Sequence, residues 1–585
     1  MSFSKVHPTV VVDSVWTSCK SVPIPSTDIL TYTFGNLSRY DDDTPIFIDA
    51  NHPSHRISAK QALRTVRQLI KGLKALGLKE GECVCLHAFN NIWYPLIWLG
   101  IIGSGGRVVG SNPRYAKSEL VHLLDLTKPK FVFAQMDCMD PIVEAAAATQ
   151  SKIDPTNIFS IDPVEDYARV AATMEAGSPI VGGPCNVFSL PRSDIPPIRG
   201  HSSWRTLLLR DEIDSPLPTN DGKFNQESIA VYSLTSGTTG LPKTALISHR
   251  SIVVQTALLE DQLGATPHQP LQLVCLPVFH AFASPLALVL PLRVGIPTFF
   301  LPKWSLPEYL RAVETHAITD VPVCPPIVSA LTQLPVSEHP RLKSLRHVMS
   351  AGAALPATVQ NKLYHVLAPQ AVVTQVWGTT EAGWHTFGDL QERDRSGSVG
   401  RLLPHVHLKL VSEDGDLVTE EGKPGEAFIK TPMLFSGYLQ NSEANADAFD
   451  PEGFYRTGDQ LYVQDGKLYY TDRIKETMKV HGWQVSPTEL ESVLIQHPRI
   501  VDAAVVGITR NNLLGIPETF PTAYVVRSAL GSGLPLTEQE VKDFIAARLI
   551  SYKRITGDVN FVDQIPRSSA GKILRRNLLQ TARSD

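Results

Sequence analysis

The chain has 585 residues, of which 43% are hydrophobic and 19% are charged, an ordinary composition for a soluble globular protein. It is too long for one simple core, and its length alone predicts about four average domains. The net charge is −4, from 54 basic and 58 acidic residues, which is too balanced to predict nucleic acid as a partner. Any phosphate binding must therefore be local.

The seven cysteines are scattered, and the spacing of Cys83 and Cys85 suits neither a zinc knuckle nor a redox pair. Reduced, mostly buried thiols are therefore expected, in a cytoplasmic protein. The first residues predict no secretory signal, and the last four are not of the peroxisomal Ser-Lys-Leu type. The longest apolar stretches, residues 93–103 and 285–292, are shorter than the ~20 residues that a membrane helix needs, so no membrane insertion is expected.

Predicted strands and helices alternate in the first part of the chain. Residues 1–55 are rich in turns, with one short strand at 45–49. The elements that follow are a helix at 58–76, a strand at 83–88, a helix at 93–103, a strand at 108–109, a helix at 117–126 and a strand at 131–134. This alternation predicts the α/β class, with a mostly parallel sheet that helices cover on both faces.

A segment rich in Pro, Gly, Ser and Asp at 179–224 interrupts the alternation and predicts an extended surface excursion. The pattern then resumes with a strand at 229–232, a helix at 251–263, a strand at 272–276, a helix at 284–291, a strand at 298–301, a helix at 306–316, a strand at 320–323, a helix at 326–334 and a strand at 346–350. Residues 400–468 have short strands and Asp-Gly turns, which predict a small antiparallel subdomain. A change of character near Asp472 predicts a boundary between domains 1–471 and 472–585.

One polar loop, residues 233–244, follows a short buried strand and reads Ser-Leu-Thr-Ser-Gly-Thr-Thr-Gly-Leu-Pro-Lys-Thr. Its glycines permit close backbone approach, its hydroxyls can donate to oxyanions and its lysine adds positive charge. The residues that carry these properties are Thr235, Ser236, Gly237, Thr238, Thr239, Gly240 and Lys243. They predict a phosphate-binding loop, although the spacing is not that of a Walker loop. A solvated turn is the alternative when the loop is taken alone.

Further stretches carry residue types that suit a nucleotide and its metal. Residues 375–383 read Gln-Val-Trp-Gly-Thr-Thr-Glu-Ala-Gly and offer an aromatic ring for a base, Thr380 for a phosphate and Glu381 for Mg²⁺. Asp459 ends a tight turn and can accept both hydroxyls of a ribose. The alternatives are a buried tryptophan with a capped turn and an ordinary structural turn. His280, among apolar neighbours, is by itself as well explained as a core histidine.

Two lysine-containing stretches lie near the C-terminal end. Residues 472–491 mix basic residues with Gly482, and a helix is predicted from Ser486, with Pro487 in its first turn and Glu489 completing a capping box. Residues 566–574 form a second Ser/Gly loop that contains Lys572. By themselves, a solvated hairpin and an exposed tail would explain these stretches.

In this order, the five motifs resemble those of the adenylate-forming superfamily, which contains acyl- and aryl-CoA synthetases, peptide-synthetase adenylation domains and luciferases. The resemblance runs from about residue 55 to residue 576. Residues 475–491 are most similar to the 4-coumarate-CoA ligase branch. The resemblance implies a large AMP-binding domain with mostly parallel sheets and a small antiparallel subdomain, followed by a small mobile α+β lid domain.

The resemblance implies that ATP, Mg²⁺, CoA and a small carboxylic acid are the ligands. The phosphate loop named above would bind the β- and γ-phosphates, and Thr380 and Glu381 would bind the α-phosphate and Mg²⁺. Adenine and ribose would lie among Gly352, Ala353, Ala354, Trp377, Gly378, Asp459 and Arg473.

For the reaction itself, the resemblance implies that Lys572 bridges the carboxylate and the α-phosphate as the acyl-adenylate forms. Lys475 sits at the hinge about which the small domain rotates. After rotation, Lys479 and Gln484 would face the adenylate, and Gly482 would line the tunnel for the thiol. The acyl pocket would be gated by His280 and bordered by Phe282, Gly378, Trp384 and His385.

The sequence departs from the family pattern at several positions, which are Thr244, Val376, Trp377 and His481 in place of glycine, glycine, tyrosine and lysine. In the coumarate ligases the two residues after Glu-Ala-Gly are small, whereas here they are Trp384 and His385. A bulky indole should shorten the acyl pocket, and the imidazole should bond a heteroatom. We therefore expect a compact aromatic or heteroaromatic acid.

The main prediction is an ATP-dependent acyl- or aryl-CoA ligase that releases pyrophosphate and then AMP. One alternative is an acyl-AMP ligase that loads a carrier protein or a fused reductase, and another is a nucleotide-binding protein that has lost catalysis. The CoA ligase is favoured over the acyl-AMP ligase because Lys479, Gly482 and Gln484 match thiol-accepting relatives, and because no carrier or reductase domain is seen after Asp585. The acid and the oligomeric state are not predicted.

Overall fold

A computed structural model describes residues 9–150, 152–161, 200–208, 226–235, 243–264, 266–480, 483–511, 517–528, 535–568 and 571–584. Two large sheets with helices between and around them make up most of this structure. Among the described residues, no helix combines the length and the apolar character needed to cross a membrane.

The first sheet has six strands and carries the predicted phosphate loop at one edge. In sheet order its strands are Lys243–Ser248, Ile229–Thr235, Arg107–Ser111, Cys83–His87, Phe131–Gln135 and Ile158–Ile161. All neighbours are parallel except the first two, which form an antiparallel hairpin with Lys243 opposite Thr235. The loop therefore joins two strands of an edge hairpin, and its residues 236–242 lie outside the described part.

The second sheet has seven strands and confirms the predicted alternation in the middle of the chain. In sheet order its strands are Val372–Gln375, His347–Ser350, Asp320–Val323, Gln272–Val274, Thr298–Phe300, Pro45–Asp49 and Arg56–Ser58. Only the last pair is antiparallel. Most of these strands are buried along their whole length, as expected for a sheet covered on both faces.

Helices cover both sheets, and their starts follow from local sequence. Ser58 caps the helix Ala59–Ala75 in a capping box with Gln61, and the apolar face of that helix is buried. The helix Tyr94–Gly103 is apolar on all sides and fully enclosed. The other helices of this part are Ile29–Phe34, Lys117–Thr127, Met139–Ala148, His249–Leu263, Leu290–Val294, Leu306–Thr315, Pro325–Thr332 and Ala357–Val366. The predicted helix at 284–291 begins instead as a π-helix, Pro285–Val289.

A third sheet is antiparallel and confirms the predicted subdomain. In sheet order its strands are Thr9–Val12, Val15–Ser18, His407–Val411, Gly425–Lys430, Tyr455–Gln464 and Lys467–Arg473. Its first two strands come from the segment predicted as turn-rich, where four-residue strands at a sheet edge leave little periodic signal. Smaller elements nearby are the pair Gly378–Thr379 and Gly383–Trp384, the pair Thr386–Phe387 and Arg401–Leu402, and the helix Ser442–Ala446.

The residues after Arg473 form an α+β unit with its own core. Its elements are the hairpin Met478–Val480 and Trp483–Val485, the sheet strands Ile500–Asn511, Pro517–Arg527 and Val559–Phe561, and the helices Pro487–Leu494, Glu538–Ala546 and Arg575–Ser584. Ser486 caps its helix by accepting from the Glu489 N–H at 3.0 Å. The predicted capping box is incomplete, because the Glu489 carboxylate pairs with Lys553 at 2.8 Å.

Candidate active site

A cavity of about 860 Å³ brings together residues that lie far apart in the sequence. Its walls come from the first hairpin, from the loops that follow strands of the second sheet, from the antiparallel sheet and from the C-terminal unit. Among the predicted site residues, those that line it are Thr235, Lys243, His280, Phe282, Gly352, Gly378, Thr380, Glu381, Trp384, Arg473 and Lys572. The predicted nucleotide, acid and lysine motifs thus converge on one space.

Lys243 and Thr235 stand at the open end of the edge hairpin, on either side of the phosphate loop. The Lys243 ammonium lies 4.7 Å from the centre of the Tyr438 ring, a cation–π distance, and both residues line the cavity. Ser236, Gly237, Thr238, Thr239 and Gly240 lie outside the described residues. The described ends of the loop thus supply a hydroxyl and a cation.

Glu381 occupies the tight turn between the short strands Gly378–Thr379 and Gly383–Trp384. Its Oε1 accepts from the Tyr438 hydroxyl at 2.8 Å. Burial, followed by the charge of Glu381, raises the pKa of Tyr438, so its hydroxyl stays a donor. A carboxylate held at the wall of this cavity is a hard oxygen ligand, so the residue fits a Mg²⁺ whose other ligands are phosphates and water.

Asp459 is buried with both of its carboxylate oxygens engaged. Its Oδ2 accepts from the Trp377 indole N–H at 2.9 Å, and its Oδ1 lies 3.1 Å from Arg473 Nε. Asp459 and Arg473 are opposite each other in adjacent antiparallel strands, which fixes this pair. The charge of Asp459 is the main reason that the pKa of Arg473 is raised. Asp459 and Trp377, 4% and 5% exposed, do not line the cavity themselves, whereas Gly458 and Arg473 beside Asp459 do.

Lys572 reaches the cavity from the C-terminal unit. Its ammonium lies 3.1 Å from Glu476 Oε1, and Arg575 Nε lies 3.0 Å from the other oxygen of that carboxylate. Burial lowers the pKa of Lys572, and the positive charge of Arg473 lowers it further, while Glu476 opposes both. Within the described part of the chain, Glu476 is therefore the carboxylate that forms an ion pair with Lys572.

The loop that carries Lys572 packs closely on the loop before the helix Pro325–Thr332. Gly571 has a φ of +82°, and a Cβ at this position would lie 2.9 Å from Cys324 Sγ. Both the left-handed backbone and the short contact require glycine. The loop therefore holds Lys572 against the cavity in this arrangement of the two parts.

The opposite wall of the cavity is aromatic. The rings of Phe282 and Trp384 lie 5.2 Å apart, and Trp384 stacks at 6.3 Å on Phe387. Burial lowers the pKa of His280 to about 4, so its imidazole is neutral near pH 7. Its Nδ1 accepts from the Phe282 N–H at 3.3 Å. This wall suits a flat, apolar ligand group.

The structure does not bring His385 to the cavity. His385 joins the short strands Gly383–Trp384 and Thr386–Phe387, and successive side chains along strands point to opposite faces. His385 is fully buried, with Nε2 3.3 Å from Thr379 Oγ1 and its ring 4.5 Å from the Trp377 ring. Burial lowers its pKa to about 3. Of the two residues, Trp384 alone lines the cavity, so the lining does not support the expected bond between the His385 imidazole and a heteroatom of the acid.

The remaining predicted residues lie elsewhere. Ala353 and Ala354 are half-buried beside Gly352 but do not line the cavity. Lys479 is exposed on the hairpin Met478–Val480 and Trp483–Val485, away from the cavity. Gly482 lies outside the described residues, and so do the side chains of Lys475 and Gln484.

Two residues of the site were missed from the sequence. Tyr438 supports Glu381 and Lys243, but it lies 57 residues from Glu381 and belongs to no local motif. Glu476 forms an ion pair with Lys572, although it lies 96 positions earlier in the chain. Its one signal was an acidic residue between Lys475 and Lys479.

Comparison with known proteins covers nearly the whole chain. The family model described as "AMP-binding enzyme" matches residues 36–439, and "AMP-binding enzyme C-terminal domain" matches residues 489–572. The phenylacetyl-CoA ligase epaB of Aspergillus niger is 38% identical over 571 residues, 97% of this chain and 98% of that protein. The 4-coumarate:CoA ligase 1 of Petunia hybrida is 30% identical over 557 residues, 94% of this chain and 93% of that protein.

The fold is also shared with solved structures. The structure of the anthranilate CoA ligase AuaEII in complex with anthranoyl-AMP superimposes with a TM-score of 0.78. The two sequences are 22% identical, and the alignment covers 96% of this chain and 98% of that one.

Proposed function

The chain belongs to the AMP-binding enzyme family, and on that premise we propose that it activates a compact aromatic carboxylic acid in the cavity described above. It is an AMP-forming acid–CoA ligase, which makes an acyl-adenylate and pyrophosphate from acid and ATP and then passes the acyl group to CoA with release of AMP. The observation that carries the substrate proposal is the convergence of Lys243, Glu381 and Lys572 with the Phe282–Trp384 wall on one cavity.

In the first step, a carboxylate oxygen forms a bond to the α-phosphorus of ATP. The bond from that phosphorus to the bridging oxygen breaks, and pyrophosphate leaves with the electron pair. Two anions must meet in line, so nearby cations are needed to offset their repulsion. We assign Lys572 to the carboxylate and α-phosphate, and the loop with Thr235 and Lys243 to the leaving pyrophosphate. Glu381 would hold Mg²⁺, which when bound neutralises phosphate charge.

The nucleoside would lie between Gly352 and the antiparallel sheet. Asp459 would accept the ribose hydroxyls, with Arg473 and Trp377 holding its carboxylate in place. Gly352 has a φ of +91° and no side chain, so its backbone leaves room for a flat base. Thr380 lines the cavity next to Glu381 and would contact the α-phosphate.

In the second step, the CoA thiol gives its proton to solvent and its sulfur bonds to the acyl carbon. The acyl–oxygen bond of the adenylate breaks, and AMP leaves with the electron pair. Lys572 occupies the cavity wall in this structure, whereas Lys479 is exposed outside it. We therefore assign this structure to the first step. We propose that residues 472–585 rotate about Lys475 for the second step and bring Lys479, Gly482 and Gln484 to the adenylate.

An aromatic acid is supported by the wall and by the relatives. Trp384 and Phe282 present flat apolar surfaces beside the neutral His280, which would gate the pocket. Two relatives that match over nearly their full length are named for phenylacetic acid and for 4-coumaric acid, both aromatic. The indole of Trp384 takes up space at the acid side of the cavity, which supports a compact acid.

A cytoplasmic location is supported by the thiols. All six cysteines in the described part of the chain are free, and five of them are buried. Unpaired cysteines are typical of a reducing compartment.

Acid-dependent exchange of labelled pyrophosphate into ATP tests the substrate proposal without CoA. We expect compact aromatic acids to support faster exchange than straight-chain fatty acids, in a reaction that requires Mg²⁺. Faster exchange with long fatty acids than with every aromatic acid would overturn the proposed class.

A further inference from the structure

A second, much smaller cavity of about 40 Å³ adjoins the main one. Ala281, Thr380 and Gly383 line both cavities. The rest of its wall is mostly apolar, with residues such as Trp98, Val278 and Met433. Ala281 and Gly383 are the chain neighbours of Phe282 and Trp384, so this side of the small cavity adjoins the aromatic wall of the main one.

Tyr94 places a hydroxyl at this small cavity. It is the first residue of the helix Tyr94–Gly103 and is 1% exposed. Its hydroxyl has no hydrogen-bond partner among the residues that the structure describes. Gly110 leaves the space for it, since a Cβ there would lie 2.8 Å from the hydroxyl oxygen. Burial raises the pKa of Tyr94, so the group stays protonated and able to donate.

Gln255 places an amide at the same cavity. It lies on the helix His249–Leu263 and is 7% exposed. Its Nε2 also lacks a hydrogen-bond partner within the described structure. Its Oε1 lies against Gly383, where a Cβ would approach it to 2.7 Å. Gly383 borders both cavities, so the amide stands where they meet.

Two unpaired polar groups in one apolar cavity are unfavourable for the empty protein, because each has lost its hydrogen bonds to bulk water. A bound group with a lone pair would satisfy both. We propose that Tyr94 and Gln255 recognise a hydrogen-bonding oxygen or ring nitrogen at the end of the acid that is far from its carboxylate. This rests on the proposed function and narrows it to a compact aromatic acid with a polar substituent.

A cavity of this size also has room for water, since about 10–15 Å³ suffices for one molecule. Water and substrate recognition make different predictions. If water alone occupies the cavity, the enzyme gains nothing from a polar substituent on the acid. If the groups recognise the acid, an acid without the substituent leaves both donors unpaired and reacts more slowly.

The test uses pairs of acids that differ by one group, such as phenylacetic and 4-hydroxyphenylacetic acid, or benzoic and pyridinecarboxylic acid. For each pair, kcat/KM is measured by pyrophosphate release with the full-length enzyme and its Tyr94→Phe and Gln255→Met variants. We expect the unmodified enzyme to prefer the polar member of at least one pair by about tenfold or more. Each substitution should lower that ratio by about tenfold, because it removes one donor and little volume.

Tyr309→Phe is the matched control. Tyr309 is fully buried and its hydroxyl also lacks a partner among the described residues, but it lines neither cavity. This variant should keep the selectivity of the unmodified enzyme. Thermal unfolding of Tyr94→Phe should be unchanged or slightly higher, since an unpaired buried hydroxyl is lost.

A preference for the apolar member in every pair would overturn the inference. A selectivity ratio that both variants leave unchanged would also overturn it, in favour of water alone. These outcomes leave the proposed function standing, because aromatic acids are still turned over. Failure of every aromatic acid to release pyrophosphate would instead overturn the proposed function, and this inference with it.

Discussion

The Trp377 indole N–H donates to Asp459 Oδ2 at 2.9 Å, across 82 positions of the sequence. Arg473 holds the other oxygen of the same carboxylate. We propose that Asp459 accepts two ribose hydroxyls. That role needs a fixed carboxylate, and the hydrogen bond from Trp377 restrains its orientation. Trp377 stands where the family pattern has tyrosine. Its indole N–H makes this hydrogen bond to Asp459.

Trp377→Phe keeps an aromatic ring and removes this hydrogen bond. A hydrogen bond to a charged group is worth about 1.5–3 kcal/mol, so we expect kcat/KM for ATP to fall by about tenfold to a hundredfold. The discrimination between ATP and 2′-deoxy-ATP should also shrink, because Asp459 is no longer held. Trp16→Phe is the control, since the Trp16 indole donates to Val418 O and neither residue lines the cavity. Unchanged discrimination in Trp377→Phe would argue against this role.

Lys572→Ala separates the two half-reactions. Lys572 lines the cavity next to the closely packed Gly571, and we assign it to the carboxylate and α-phosphate. Adenylation should fall by at least about a hundredfold, which is typical of losing a charge-stabilising group. Conversion of supplied acyl-adenylate to the thioester should persist. Lys553→Ala, which removes a lysine paired with Glu489 in the same unit, should affect neither step. Survival of both steps in Lys572→Ala would refute the assignment.

The pH dependence of adenylation should report Lys572. Because its pKa is lowered by burial and by Arg473, the ammonium is lost at a lower pH than in a free lysine, and adenylation falls as the pH rises through that value. Glu476 acts in the opposite direction and raises this pKa. Glu476→Gln should therefore move the alkaline limb of the pH–rate profile to lower pH.

The control for that profile is Glu489→Gln, whose carboxylate pairs with Lys553 instead of Lys572. Its alkaline limb should match that of the unmodified enzyme. A limb that stays in place or moves to higher pH in Glu476→Gln would contradict the role of the Lys572–Glu476 pair.

Trp384→Ala should open the aromatic wall. Trp384 packs between Phe282 and Phe387, so its removal leaves space along the acid side and should shift the preference toward longer acids. Removing a buried tryptophan also costs about 3–5 kcal/mol of stability, so the melting temperature is measured in parallel. Trp204→Ala removes another fully buried tryptophan outside both cavities and should lower stability alone. An unchanged chain-length preference in Trp384→Ala would count against this wall as the limit of the pocket.

Local sequence predicted local features well. The helix Ala59–Ala75 begins at a serine cap and buries its apolar stripe, both of which are written in a few consecutive residues. The alternating strands and helices were predicted for the same reason. The hairpin at residues 9–18 was missed, because its place depends on pairing with His407 and Leu408, almost 400 positions away.

In the candidate site, too, local motifs were predicted and contacts between distant segments were not. Motifs that carry their own residue types, such as those with Lys243, Glu381 and Lys572, were found and converge on the cavity. The sequence did not predict which of Trp384 and His385 lines the cavity. Neighbouring side chains along a strand point to opposite faces, so one of them lines the cavity and the other is buried in the core. Partners such as Tyr438 and Glu476 come from distant segments, so their roles appear only in the fold.

We propose that one cavity serves both steps of the ligase reaction. The most direct measurement incubates the enzyme with ATP, Mg²⁺ and a panel of aromatic acids, with and without CoA, and quantifies pyrophosphate, AMP and thioester. We predict pyrophosphate and enzyme-bound adenylate without CoA, and equal amounts of AMP and acyl-CoA with it. Adenylate that accumulates without thioester in the presence of CoA, or no turnover of any acid, would contradict this proposal.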